Sequence, residues 1–255
     1  MMKFTSFGFS EIGKSHVQNE DRYFRDEKEG LFLVADGMGG HVSGETASQL
    51  AIDGISDFVI RSRSQEVALP TLPQKDLTPA QRRLLAAVTL ANRRINALSS
   101  NPSVAKRMGT TLVGALLEGE HLAIVNVGDS RVYRIRAGQI VQITADHSFV
   151  GAQQKSGLIS KEEARSHPQR NILTSALGLA ENPQMDAYRS DVSPGDLYLL
   201  CSDGLHTALP DEEILAIILS IPDRALFKIG LSLVLKANLA GGRDDTTVVL
   251  IAFSE

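Results

Sequence analysis

Residues 110–143 read TTLVGALLEGEHLAIVNVGDSRVYRIRAGQIVQI. Four apolar, β-branched runs follow one another in this stretch: Thr110 to Leu117, Leu122 to Val127, Arg131 to Arg136 and Gln139 to Ile143. The breaks between them are short. Glu118-Gly119-Glu120 and Ala137-Gly138 are brief, polar or glycine-containing connections of the kind that close hairpins. Strands joined by hairpins pair antiparallel, which argues against a repeating βαβ arrangement. Working outward, Leu31 to Ala35, Leu197 to Cys201 and Thr246 to Phe253 have the same strand character.

Helical periodicity falls between these runs. From Ser43 onward, Ala47, Leu50, Ala51, Ile55, Phe58 and Val59 recur at three- and four-residue spacing, with Ser43 placed to cap and Glu45 in the first turn. Thr78-Pro79-Ala80-Gln81 is a capping box with proline at the first helical position. It opens a helix whose Leu84, Val88, Ala91, Ile95 and Leu98 form one stripe. Asp211 to Ser220 and Asp223 to Lys236 read as an antiparallel helical pair. Residues 61–75, polar and carrying Pro70 and Pro73, read as a surface connection within one layer. Residues 151–187 are irregular, with short helical pieces expected around Pro168 and Pro183. The expected architecture is α+β: one domain, residues 1–255, of stacked antiparallel sheets covered by helices.

Bulk properties narrow the function. Hydrophobic residues at 43 % and charged residues at 22 % are globular proportions, not those of a disordered chain. A net charge of −4 argues against a general grip on nucleic acid. No apolar run approaches the roughly 20 residues that span a bilayer, and Lys3 is not followed by the apolar block of a secretory signal. The single Cys201 suits a reducing compartment, so the expectation is a cytoplasmic, membrane-free, monomeric protein.

Acidic residues collect beside glycine at the ends of the apolar runs. Asp36-Gly37-Met38-Gly39-Gly40-His41 follows one strand, and Ser202-Asp203-Gly204 follows another. Gly241-Gly242-Arg243-Asp244-Asp245 precedes a third, and Asn19-Glu20-Asp21 leads into a short aromatic segment. Taken singly, each reads first as turn chemistry. Together they offer carboxylates on rigid bases and turned backbone carbonyls, which are oxygen ligands for hard cations such as Mg²⁺ and Mn²⁺.

The ordered set resembles the PP2C (PPM) family of metal-dependent protein phosphatases, particularly its bacterial members. To the four clusters it adds Met108-Gly109-Thr110-Thr111, Val127-Gly128-Asp129-Ser130-Arg131 and Ala145-Asp146-His147-Ser148. Its other matches are Ser202-Asp203-Gly204-Leu205 and Arg243-Asp244-Asp245-Thr246-Thr247-Val248. The resemblance spans about residues 5 to 253. It implies a central β-sandwich flanked by helix pairs, in α-β-β-α layers. It implies hydrolysis of phosphoserine and phosphothreonine in proteins by a metal-activated water, opposing a cognate Ser/Thr kinase. Asp36 would bridge two Mn²⁺ or Mg²⁺ ions with the Gly37 carbonyl on one, and Asp203 and Asp244 would complete the site. Glu20 and Asp21 would act mainly through metal-bound water, Asp129 would help hold a third ion, and about residues 147–188 would form a flap.

Two departures stand out. His16 occupies the position, five residues before Asp21, where the family usually carries an arginine that forks onto the phosphate; a histidine donates less and is only partly charged. It predicts a weaker phosphate grip, unless Arg22 or Lys14 substitutes. Met38 stands where eukaryotic members carry a histidine proposed as general acid, and His41, three residues on, reads as packing beside the metal loop. His147 and His167 flank the flap; His121 and His206 read as structural or surface residues. Asp245 reads as bonding the local backbone, Arg131 as orienting a loop carboxylate or lying exposed, and Cys201 as a core residue. The rival readings are a pseudophosphatase that binds phosphoproteins and a hydrolase of a small phosphorylated molecule.

Overall fold

The computed structural model of the chain describes residues 2–39, 42–63, 76–100, 108–221 and 224–255. The apolar runs within them form two antiparallel sheets. One takes β1 (Lys3–Glu11), β11 (Thr246–Ser254), β10 (Leu197–Cys201), β7 (Arg131–Arg136) and β8 (Gln139–Gln142), in that order. The other takes β2 (Asp21–Asp26), β3 (Leu31–Met38), β5 (Leu112–Glu118), β6 (His121–Val127) and β9 (Asp186–Asp191), with the short β4 (Gly109–Thr110) on the end of β3. Both predicted hairpins form, β5–β6 around Gly119 and β7–β8 around Ala137-Gly138, with positive φ at all three turn residues.

Period-two alternation explains the layers. In β3, Phe32 and Val34 face the opposite sheet, where they meet Tyr198 and Leu200 of β10 and Val249 and Ile251 of β11. Leu31, Leu33 and Ala35 point the other way, onto α1 (Val42–Ser62) and α2 (Pro79–Ser99). On the far side, Leu197, Leu199, Cys201, Val248 and Leu250 meet α5 (Asp203–Ala208), α6 (Asp211–Leu219) and α7 (Leu226–Leu239). Strands buried on both faces read as continuous apolar runs, and this is why they were legible. The result is a β-sandwich between two helical layers, as the sequence predicts.

The differences are local. The run from Thr110 breaks at Thr111, whose amide donates to the Asp36 carbonyl at 2.8 Å instead of continuing the ladder. The half-polar edge strands β1 and β9 lie outside the apolar runs. The capping box forms at Thr78, whose hydroxyl accepts from the Gln81 amide at 3.2 Å. Helix α1 starts at Val42, so Ser43 sits inside its first turn and does not cap it, while Glu45 is in the first turn. Helix α7 starts at Leu226, later than expected, and Asp223 lies outside the described residues. Two short helices, α3 (Phe149–Lys155) and α4 (Lys161–Ser166), precede Pro168, and α4 ends just before it. No helix forms at Pro183. His41 and residues 64–75 of the polar connection lie outside the described residues. Among the described residues, no helix is long and apolar enough to cross a membrane.

Candidate active site

Five points of the chain deliver carboxylates to one end of the sandwich. Asp21 opens β2 and is the direct antiparallel partner of Asp36 on β3. Asp129 lies in the Gly128-Asp129-Ser130 turn between β6 and β7. Asp203 is the first residue of α5, immediately after β10, and Asp244 precedes β11. Of these, Asp36, Asp129, Asp203 and Asp244 line one cleft of about 510 Å³ together with His16, Glu20, Gly37 and Asp245. No lysine or arginine among the described residues lines it. Asp21 sits behind, 2 % exposed, its carboxylate accepting from the Ser202 hydroxyl at 2.7 Å.

The local sequence explains why the acids stay put. Asp36 is clamped through its backbone: its amide donates to Thr111 Oγ1 at 3.1 Å, and its carbonyl accepts from the Thr111 amide and from Thr110 Oγ1. The Thr110-Thr111 pair is therefore a brace for the metal-loop strand. Gly37 and Gly44 let that loop meet the start of α1. A Cβ on Gly37 would overlap the Gly44 carbonyl, and a Cβ on Gly44 would overlap the Glu20 carboxylate. Asp245 accepts from the Gly13 amide at 2.8 Å and the Glu20 amide at 2.7 Å, so it ties the N-terminal segment to the β11 loop. The sequence predicts bonds to the local backbone, whereas the amides it holds belong to Gly13 and Glu20, distant in sequence.

Electrostatics set these groups apart. Burial raises the Asp36 carboxyl well above the usual range, and the charges of Asp21, Asp203, Asp244 and Asp129 add to it. Asp203 is pushed up to about 7 by burial and by Asp244. Asp21 also rises to about 7, through burial and the charges of Asp245 and Asp203, against the lowering hydrogen bonds of Ser202 and Thr247. Asp129 and Asp244 are raised too, chiefly by burial. Asp203 Oδ1 is buried with no hydrogen-bond partner among the described residues. Mutually repelling carboxylates with an orphaned buried oxygen and no lining Lys or Arg fit hard divalent cations.

His16 lines the cleft, but its Nδ1 faces Asp245 at 3.1 Å and Asp244 at 3.7 Å. Burial lowers its pKa, yet the hydrogen bond and charge of Asp245, with Asp244 and Glu20, carry it above the usual 6.5. Arg22 is engaged elsewhere: it pairs with Glu45 and donates to the Asn19 and Asp21 carbonyls. Neither Arg22 nor Lys14 lines the cleft.

The remaining polar residues brace the surroundings. Arg131 holds Asp146 through Nε at 3.0 Å and Nη2 at 2.7 Å and donates to Tyr133 Oη, so it is a half-buried loop-orienting group. His147 joins Asp186 at 3.1 Å and accepts from the Gly128 amide. His206, held neutral chiefly by burial and then by Arg131, donates to the Asp129 carbonyl at 3.0 Å. His121 contacts Asp191 at the surface, and His167 packs against Phe149. Cys201 is fully buried, and burial raises its thiol pKa. Asn171, Leu173 and Leu179 also line the cleft, from the segment between α4 and β9. Their sequence carries no chemical signature, and only the fold brings them there.

A family model described as protein phosphatase 2C matches residues 12–226. The serine/threonine phosphatase Stp of Listeria innocua serovar 6a is 35 % identical over 242 residues, covering 94 % of this chain and 92 % of the relative. The crystal structure of the Mycobacterium tuberculosis serine/threonine phosphatase PstP/Ppp superposes with a TM-score of 0.83 at 34 % identity, covering 100 % of both chains. A structure of the PstP catalytic domain in complex with two manganese ions gives 0.80 at 34 % identity, again over 100 % of both. With its acids gathered at one end of the same sandwich, the chain belongs to the protein phosphatase 2C family of serine/threonine phosphatases.

Proposed function

We propose that this chain hydrolyses phosphoserine and phosphothreonine monoesters in proteins, with its acidic cleft as a two-cation site. The observation that carries the proposal is the convergence of Asp36, Asp129, Asp203 and Asp244 in a cleft lined by no lysine or arginine, with Asp203 Oδ1 left without a donor. Asp36 would hold both ions, with the Gly37 carbonyl, Asp203 and Asp244 completing their ligands and Glu20 and Asp21 acting through water. Asp129 would take a third. The ions are Mn²⁺ or Mg²⁺. When bound they neutralise phosphoryl oxygens and lower the pKa of the attacking water.

The chain's own groups do the rest. Asp245 occupies His16 Nδ1, which would leave Nε2 as the donor toward the phosphate. Water attacks phosphorus as the P–O bond to the serine or threonine breaks, and the departing oxygen takes up a proton; no phosphoenzyme forms. Cys201, buried with a raised pKa, is unsuited to be a nucleophile. We read residues 1–255 as one catalytic domain with residues 147–188 as a flap beside the cleft. The protein would be monomeric and cytoplasmic and would oppose a Ser/Thr kinase. The intact acid set favours turnover over a pseudophosphatase role.

The test is a phosphopeptide assay in Mn²⁺, with and without chelator, with Asp36→Asn as the control. Turnover that survives chelation, or that Asp36→Asn leaves intact, would overturn the proposal.

A further inference from the structure

Beside the acidic cleft runs a second groove, of about 390 Å³, which shares Asp244 with it. Its charge is opposite. Arg165, Arg170 and Arg243 line it, with Thr207 on the α5 wall. Arg165 is partly committed, donating to the carbonyls of His206 at 3.0 Å and Leu209 at 3.3 Å, where α5 ends. Arg170 has one long contact, 3.5 Å to the His167 carbonyl. Arg243 is exposed and makes no hydrogen bond or ion pair among the described residues. It is held next to Asp244 by a loop in which Gly241 and Gly242 both adopt positive φ.

Three guanidinium groups lining one groove repel each other, and among the described residues none of them is ion-paired with a carboxylate. Arginine forks match carboxylates and phosphates through paired N–H donors. The acidic cleft itself offers no arginine or lysine to any anion beyond the phosphate being hydrolysed.

We propose that this groove is a specificity site, resting on the phosphatase reading above. It takes an anionic side chain, either a carboxylate or a second phosphate, lying close in sequence to the phosphoresidue of the substrate. Arg243 is its principal contact. Preferred substrates are therefore acidic or multiply phosphorylated segments.

The test uses synthetic phosphothreonine peptides in Mn²⁺. At each position within three residues of the phosphothreonine they carry Asp, phosphoserine, Ala or Lys. The expected result is a kcat/KM about tenfold higher for Asp or phosphoserine than for Ala at one or two of these positions, the gain of one charged hydrogen-bonding contact. Asp and phosphoserine arms responding differently would identify which anion the groove takes. Arg243→Gln should cut the preference ratio severalfold, and Arg243→Glu should shift it toward Lys. Misfolding would lower all peptides together and could not invert their order. A flat preference in the wild-type protein, or one unchanged in both variants, would overturn the groove assignment while leaving the phosphatase reading standing. No hydrolysis of any peptide would overturn both.

Discussion

Consider removing the cations and following stability with pH. Asp21 and Asp203 are each held near 7 in the fold, against an ordinary value of 3.8. A raised acid binds more protons folded than unfolded between roughly pH 4 and 7, so stability falls as pH rises through that window. Each tenfold in proton affinity is worth ~1.4 kcal/mol, or ~4 kcal/mol for one such carboxyl. Because these groups share the same neighbours their energies do not add, and since only about two of the three tenfolds fall between pH 5 and pH 8 we take ~3 kcal/mol for the cluster in that range. For a chain of this size, ~1 kcal/mol moves Tm by about 2–4 °C, so the chelated protein should lose about 8 °C between pH 5 and pH 8. Cations reverse the trend, since they require the deprotonated carboxylates and stabilise the fold by binding it. The assay is scanning calorimetry from pH 5 to 8, with chelator or saturating Mn²⁺. The gap between the two Tm values should widen toward pH 8, and Asp36→Asn should raise the chelated Tm at pH 8 while shrinking the Mn²⁺ increment. A chelated Tm that holds or rises from pH 5 to 8 would refute the buried-repulsion argument.

His16→Arg should raise kcat/KM for a phosphopeptide about tenfold, mainly through KM, because a fork replaces a single donor; unchanged steady-state constants would count against a phosphate role for this position. Gly44→Ala should displace the Glu20 carboxylate, which a Cβ there would overlap, and weaken Mn²⁺ binding about tenfold by titration calorimetry, in the range seen when a group supporting a metal site is lost. Equal affinity would mean that Glu20 does not serve the ions. Arg131→Leu leaves Asp146 without its guanidinium and should cost about 2 kcal/mol in urea unfolding, the loss of a charge-assisted pair that is mostly, not wholly, out of water. A loss under 1 kcal/mol would show that water replaces the pair.

The sandwich was readable because strands such as Leu31–Ala35 and Leu197–Cys201 are buried on both faces and announce themselves as unbroken apolar runs. Edge strand β9, with the sequence DAYRSD, was not, since an edge needs little apolar surface and its pairing comes from β6. The acids were readable by type and position, being glycine-flanked at strand ends. Their convergence was not, because it depends on β2 pairing with β3 in the register that sets Asp21 opposite Asp36. His16 shows the limit most clearly. Sequence offered it as a weakened arginine, whereas the fold gives it an anionic partner in Asp245, a residue 229 positions along the chain in the same numbering.

Charge balance at the cleft gives these peripheral groups their importance. Six carboxylates line it, and a protonated His16 offsets one of them. Two divalent cations would still leave the cleft slightly negative when a phosphate dianion has to enter. Further positive charge would have to come from nearby, and two sources remain: a cation beside Asp129, as proposed above, and the arginines of the adjoining groove. The family's usual arginine at position 16 would hold its one positive charge at every pH, where a histidine holds it only when protonated. With a histidine there, the charge available to admit the phosphate would depend on pH and on cation supply.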